Sequence, residues 1–210
     1  MNITKLGHSC FILEINDTKI LFDPGIFTDP SAVFENIKII LITHSHADHM
    51  DVSLLKKILI DNEATLITNS ESANILREEG IEAQIISNGE EIELFDVKIK
   101  AIGEKHIEVY PGIDAGANTG YLINDHFFNP GDNYTIPNET VQILAMPAAG
   151  PWVKLSEAID YALAVKPEKV FSVHDGMLIN PGIIIPLATK VLSEHNIQFI
   201  DLKINQTTSL

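Results

Sequence analysis

The sequence predicts an α/β (α+β) domain in which two sheets pack face to face with helices outside. Two observations predict it. Short strands separated by tight turns dominate the first half of the 210 residues, and strand–helix alternation dominates the second. Elements with one apolar face must bury that face, and stacked sheets flanked by helices satisfy both patterns. No Gly/Ser-rich linker, low-complexity run or internal repeat divides the chain, so one domain over residues 1–210 is expected.

The elements follow in order. Residues 3–15 and 18–22 read as two strands joined by an Asn16-Asp17 turn, and Asp23-Pro24-Gly25 ends the second. Residues 39–43 form a buried strand. Residues 52–60 form an amphipathic helix, with apolar positions at 54, 55, 58 and 59. A strand at 64–68 leads to a helix capped by Asn69 or Ser70 and ending near Gly80. Strands are expected at 83–86, 91–95 and 97–102. A hairpin spans 120–123 and 127–129, and a buried strand covers 141–146. Ser156 is expected to cap a helix that runs to Val165 and is stopped by Pro167. A strand at 169–173, a helix at 184–195 and a closing strand at 197–202 complete the chain.

The strand at 39–43 runs into His44-Ser-His46-Ala-Asp48-His49, three imidazoles and a carboxylate within six residues. Residues two apart in extended chain point the same way, so His44 and His46 can converge on one ion. Asp48 and His49 follow where the chain turns. Imidazole with carboxylate suits Zn, Mn or Fe. A chance match to this pattern is expected on the order of once per thousand such chains.

H-x-H-x-D-H after an apolar strand resembles the signature of the metallo-β-lactamase-fold superfamily. That resemblance, not the element pattern, implies a four-layer αββα sandwich. It also implies two divalent transition-metal ions, most simply Zn, with Mn or Fe as alternatives. His44, His46 and His106 would serve the first ion, and Asp48, His49 and His174 the second, with Asp132 shared. His106 follows the strand at 97–102. Asp132 is offered on a Pro-Gly-Asp turn after an apolar strand, and His174 ends the strand at 169–173. One carboxylate can hold two cations at the roughly 3.5–4 Å spacing of dinuclear sites. Metal-activated water would then hydrolyse a small-molecule ester, lactone, amide or phosphoester, with Asp48, Asp132 or both accepting its proton. His126 and His195 read as structural.

Further residues are weaker candidates. If Asn16-Asp17 is the turn, positions summing to 33 face each other, so His8 lies opposite Gly25 and Cys10 opposite Asp23. A ligating imidazole needs an acceptor for its other nitrogen, and Asp23 is a candidate. His8 is expected in an outer shell or facing substrate, with a plain structural role as the equal alternative. Trp152, in a Pro/Gly/Ala-rich loop, and Asn118 are candidates for the pocket wall, as are Lys105, Tyr110 and Lys154.

Gly7-His8-Ser9, Asp23-Pro24, the histidine motif, Asn118-Thr-Gly-Tyr121, Pro130-Gly-Asp132, Pro151-Trp152 and His174-Asp175 occur in the superfamily's order. Their compactness resembles the branch containing the ascorbate-phosphate lactonase type. Many members of the superfamily write Gly-His-Thr-Pro-Gly where this chain has Gly-Glu-Lys-His106, which argues against the β-lactamase and glyoxalase branches. No insertion suggests an RNA-processing domain, and no appended flavin domain suggests an oxygen reductase.

Net charge is −15, and no basic track offers itself to phosphates, so no nucleic-acid partner is expected. No apolar run approaches the roughly 20 residues of a membrane helix, and the start lacks a basic-then-apolar leader. The one cysteine, Cys10, forms no intrachain disulfide, so a cytoplasmic location is the expectation. A homo-oligomer is compatible with all of this. Two rival functions remain: a metal-dependent nuclease, which the charge disfavours, and a non-catalytic protein that retains metal, which the full ligand set disfavours.

Overall fold

The computed structural model describes residues 1–210. Strands β1 (Asn2–Gly7), β2 (Cys10–Ile15) and β3 (Thr18–Phe22) form an antiparallel meander. Strand β4 (Ile37–Leu41) continues the sheet in parallel. Helix α1 (Val52–Asp61), β5 (Thr65–Thr68), helix α2 (Ser70–Glu78) and β6 (Gln84–Ile85) follow. The second sheet begins with β7 (Glu91–Leu94), β8 (Val97–Ile102), β9 (Gly120–Ile123) and β10 (Phe127–Asn129), all antiparallel. Parallel strands β11 (Ile143–Pro147), β12 (Lys169–Val173) and β13 (Gln198–Ile200) extend it. Helices α3 (Leu155–Val165) and α4 (Ile185–Ser193) make the crossovers. A last strand, β14 (Thr207–Ser209), returns to pair with β1.

The strand orders are β14-β1-β2-β3-β4-β5-β6 and β13-β12-β11-β10-β9-β8-β7. Each mixed sheet is antiparallel at one end and parallel at the other. Between them lies a core containing Phe11, Phe22, Tyr121, Phe127 and Phe171. Phe11 and Phe22 stack at 4.5 Å, and Phe171 meets Phe11 edge-on at 5.5 Å. Leu55, Ile58 and Leu76 bury α1 and α2 on the outer face of one sheet. Ala158, Ala162, Ala188 and Leu192 do the same for α3 and α4 on the other. The layers are αββα, as the resemblance implied.

Several boundaries differ from the sequence reading. Residues 3–15 are two strands, not one: the chain reverses at His8-Ser9, with His8 at φ 48° and Gly7 at φ 119°. Continuous apolar character hides such a reversal, because both arms face one core. The sum-to-33 register holds from Phe11–Phe22 to Ile15–Thr18, but Cys10 pairs with Gly7, and His8 leaves the ladder instead of facing Gly25. Ser156 is inside α3, not its cap. Lys154 precedes the helix without a side-chain capping bond, and Lys166 in the left-handed region ends it before Pro167. The strand at 197–202 is an edge strand, and β14 closes the other sheet. A 3-10 turn at Pro181–Ile184 precedes α4.

Candidate metal centre

Strand ends bring the polar residues together. The loop after β4 carries His44 to His49, the segment after β8 carries His106, the turn after β10 carries Asp132, and His174 follows β12. Side-chain donors fall into three groups: His44, His46 and His106; His44, His49 and Asp132; and His8, Asp48, His49 and His174. Within each group every ligand atom lies within 4.8 Å of the others. All are buried except His46 and Asp48, which are partly exposed.

Asp132 is the hub. Its Oδ2 is 2.8 Å from His174 Nε2, 3.2 Å from His106 Nε2 and 3.8 Å from His44 Nε2. Its Oδ1 is 3.2 Å from His49 Nε2. Asp48 Oδ2 is 3.3 Å from His174 Nε2 and 4.0 Å from His49 Nε2.

The other ring nitrogens are already committed. His49 Nδ1 donates to Asp23 Oδ2 at 3.0 Å. Thr43 gives its backbone N–H (2.8 Å) and its hydroxyl (3.0 Å) to the same carboxylate. With its proton used, Thr43 Oγ1 can only accept from His44 Nδ1, 3.0 Å away. His106 Nδ1 donates to Ile107 O, and His174 Nδ1 to Ala149 O, each at 2.5 Å. Four imidazoles thus turn Nε2 toward a shared space, the tautomer a metal ligand needs. Asp23 orients two of them, one directly and one through Thr43. Thr43 and the Ala149 carbonyl had no sequence signal, since neither residue type advertises such a role.

Charge within the cluster is uneven. Burial, aided by neighbouring imidazoles, holds His44 well below the ordinary histidine range and lowers His46 too. Burial opposes a charge on His49, but the Asp132 and Asp23 carboxylates outweigh it and raise that ring well above the ordinary value. His174 is likewise opposed by burial yet raised to about 9 by Asp132 and Asp48. Burial would raise both Asp48 and Asp132, and the facing imidazoles hold them below the carboxylate range instead.

The backbone is shaped for this packing. A Cβ on Gly25 would sit 1.9 Å from Asp48 O, so only glycine lets the Asp23-Pro24-Gly25 loop pass under the histidine loop. Asn118 stands behind the cluster, against the turn that carries Asp132. It is buried, its Oδ1 accepts from Asp132 N (2.9 Å), and its Nδ2 donates to Pro130 O (2.9 Å), which staples the turn that presents Asp132. Beneath His174, Asp175 accepts from Lys5 Nζ (2.6 and 2.8 Å) and Ser172 Oγ (2.7 Å), a buried pair that fastens β12 to β1.

Trp152 is 8% exposed. Its indole meets His106 at 5.6 Å and His174 at 5.7 Å, both edge-on, and Tyr134 lies behind it at 5.6 Å. Tyr110 is open to solvent, and Lys105 bridges to Ala117. His126 and His195 stand apart from the cluster: His126 sits at the hairpin turn, and His195 donates to Val191 O. A cavity of about 900 Å³ walled by Ile26, Pro30, Phe34 and Leu54 contains none of the clustered ligands. A cluster of convergent donors outweighs an empty groove as a sign of chemistry.

A metal ion fits these residues. His44 Nε2 and Asp132 Oδ1 are buried without any hydrogen-bond partner. Orphaned polar atoms at full burial are costly, and a shared cation would satisfy both.

The model of the beta-lactamase superfamily domain matches residues 2–174. The chain belongs to that superfamily. Protein Rv0786c of Mycobacterium tuberculosis is 37% identical over 184 residues, 85% of each chain. A UPF0173 metal-dependent hydrolase of Natranaerobius thermophilus is 29% identical over 189 residues, 83% of each. Among solved structures, Igni18, described as a metallo hydrolase from Ignicoccus hospitalis, superposes with a TM-score of 0.77 at 20% identity, covering 99% of this chain and 97% of that one. At that identity the likeness shows the fold. No helix is long and apolar enough to cross a membrane.

Proposed function

We propose that the protein is a metal-dependent hydrolase that uses activated water on a small molecule. In this reading His44, His46 and His106 would hold one divalent cation and Asp48, His49 and His174 a second, with Asp132 shared between the two groups. The observation that carries it is the position of Asp132, whose two oxygens face Nε2 atoms of both groups. The relative in Natranaerobius thermophilus bears the name of a metal-dependent hydrolase.

Cations held there would bring a water toward neutral pKa and polarise the scissile bond. The chain's own residues do the rest. Asp23, Thr43, Ile107 O and Ala149 O keep Nε2 of His49, His44, His106 and His174 aimed at the shared space. Asp132 or Asp48 takes the proton of the attacking water, both being ionised at neutral pH. Trp152 covers His106 and His174 and keeps bulk water off them. No serine or cysteine nucleophile is required.

Zinc is the favoured ion, because imidazole-rich sets suit it, with manganese and iron as competitors. The reading extends to a cytoplasmic single domain over residues 1–210 and to the compact branch that resembles the ascorbate-phosphate lactonase type. A net charge of −15 supports a small metabolite over a polynucleotide. The test is elemental analysis of purified protein, then a panel of esters, lactones, amides and phosphoesters beside RNA and DNA. Between one and two equivalents of metal, with activity on a small substrate, is expected. Less than about a tenth of an equivalent after reconstitution, or salt-sensitive cleavage of nucleic acid alone, overturns the reading.

A further inference from the structure

His8 belongs to a group of four potential ligands with Asp48, His49 and His174, and proximity alone does not say whether it holds metal. Its hydrogen bonds do. The Gly176 N–H donates to His8 Nδ1 at 3.0 Å. A nitrogen that accepts carries no proton, so the neutral ring carries its one proton on Nε2. That Nε2 lies 3.1 Å from Asp48 Oδ2, which can only accept. The pattern is the reverse of His49, His106 and His174, whose Nδ1 atoms donate outward and whose Nε2 atoms face the shared Asp132 carboxylate.

We propose that His8 is a positioning residue, not a ligand: its Nε2–H holds Asp48 Oδ2 toward the point that His49 and His174 share. This rests on the ligand set proposed above. The surroundings fix the ring in that role. His8 is 2% exposed and sits in a left-handed turn at φ 48°. Its backbone carbonyl accepts from His174 N at 3.2 Å, and its ring packs 4.2 Å from that of His174 and 5.2 Å from that of Phe27. A Cβ on Gly176 would lie 2.9 Å from His8 Cβ, so the residue that supplies the N–H must be glycine for His8 to sit here. Asp48, partly exposed and on a loop, would otherwise be free to rotate its carboxylate away from the second cation.

Three measurements test this. In metal-free wild-type protein, long-range ¹H–¹⁵N correlation should show His8 as the Nε2–H tautomer, unchanged on zinc loading, while His49 and His174 shift as ligands. Loading with ¹¹³Cd should give no coupling to His8. An Nδ1–H tautomer, or cadmium coupling to His8, overturns the proposal. In titrations with zinc, His8→Phe, which keeps a ring but no donor, should weaken the second equivalent about 10–100-fold and spare the first. His8→Gln, whose amide can donate to Asp48, should recover most of that loss. An unaltered second affinity in His8→Phe, or a His8→Gln as poor as His174→Ala, also overturns it. If His8→Phe does not fold, Gly176→Ala replaces it, with the same expected loss. Wild-type protein that binds no metal would sink the proposed function, while the metal-free tautomer would still decide the assignment of His8's proton.

Discussion

The two halves of the cluster differ in what occupies them before any metal arrives. His44, His46 and His106 form a group of three imidazoles whose one carboxylate neighbour is the shared Asp132, and burial lowers the basicity of His44 and His46. His49 and His174 face Asp48, Asp132 and Asp23, whose carboxylates raise His49 well above the ordinary histidine value and His174 to about 9. Lowered basicity at His44 and His46 favours a cation at neutral pH, whereas His174, raised to about 9, must release a proton to receive one. Near-identical side chains thus acquire different affinities from their carboxylate neighbours.

Removing the shared carboxylate should erase the difference. Asp132→Ala is expected to weaken both equivalents and to lower hydrolysis by more than about 100-fold, beyond the range seen for outer hydrogen-bond partners. A variant that keeps two tight equivalents would break the bridging assignment.

Single-ligand variants should separate the halves. His174→Ala is expected to lose the second equivalent and keep the first, and His46→Ala to do the opposite, by isothermal titration with zinc. Identical binding curves would mean the halves are not distinct sites.

pH should separate them without mutation. His174 is raised to about 9, so its contribution to metal-free stability is complete below its unfolded value near 6.5 and is lost as pH rises through about 9. The Tm of metal-free protein should therefore fall over that window. The second equivalent displaces at least one proton there, so its affinity should rise about tenfold per pH unit. The Tm of loaded protein should move the opposite way. Parallel slopes for the two forms would contradict the charge assignment.

Trp152 touches one ring from each half, so its loss should not discriminate between them. Trp152→Ala is expected to cost about tenfold in kcat/KM with both equivalents retained. His126→Ala, outside the cluster, should change stability by no more than about 0.5 kcal/mol and activity not at all. Damage comparable to His174→Ala would overturn the ligand set.

The strand before His44, the convergence of His44 and His46, the β2–β3 register and the positions of His106, Asp132 and His174 at strand ends were legible from the sequence. Each depends on local periodicity or on a turn, which neighbouring residues set. The resemblance supplied the layer order that periodicity could not. The reversal at His8, the return of β14 to β1 and the stapling role of Asn118 were decided only by tertiary structure. So was the tautomer of every ring, since a nitrogen's proton follows its partner, and partners such as His8 and Gly176 are 168 residues apart. Sequence determined which groups could reach the site, and packing decided which atom of each group faces it.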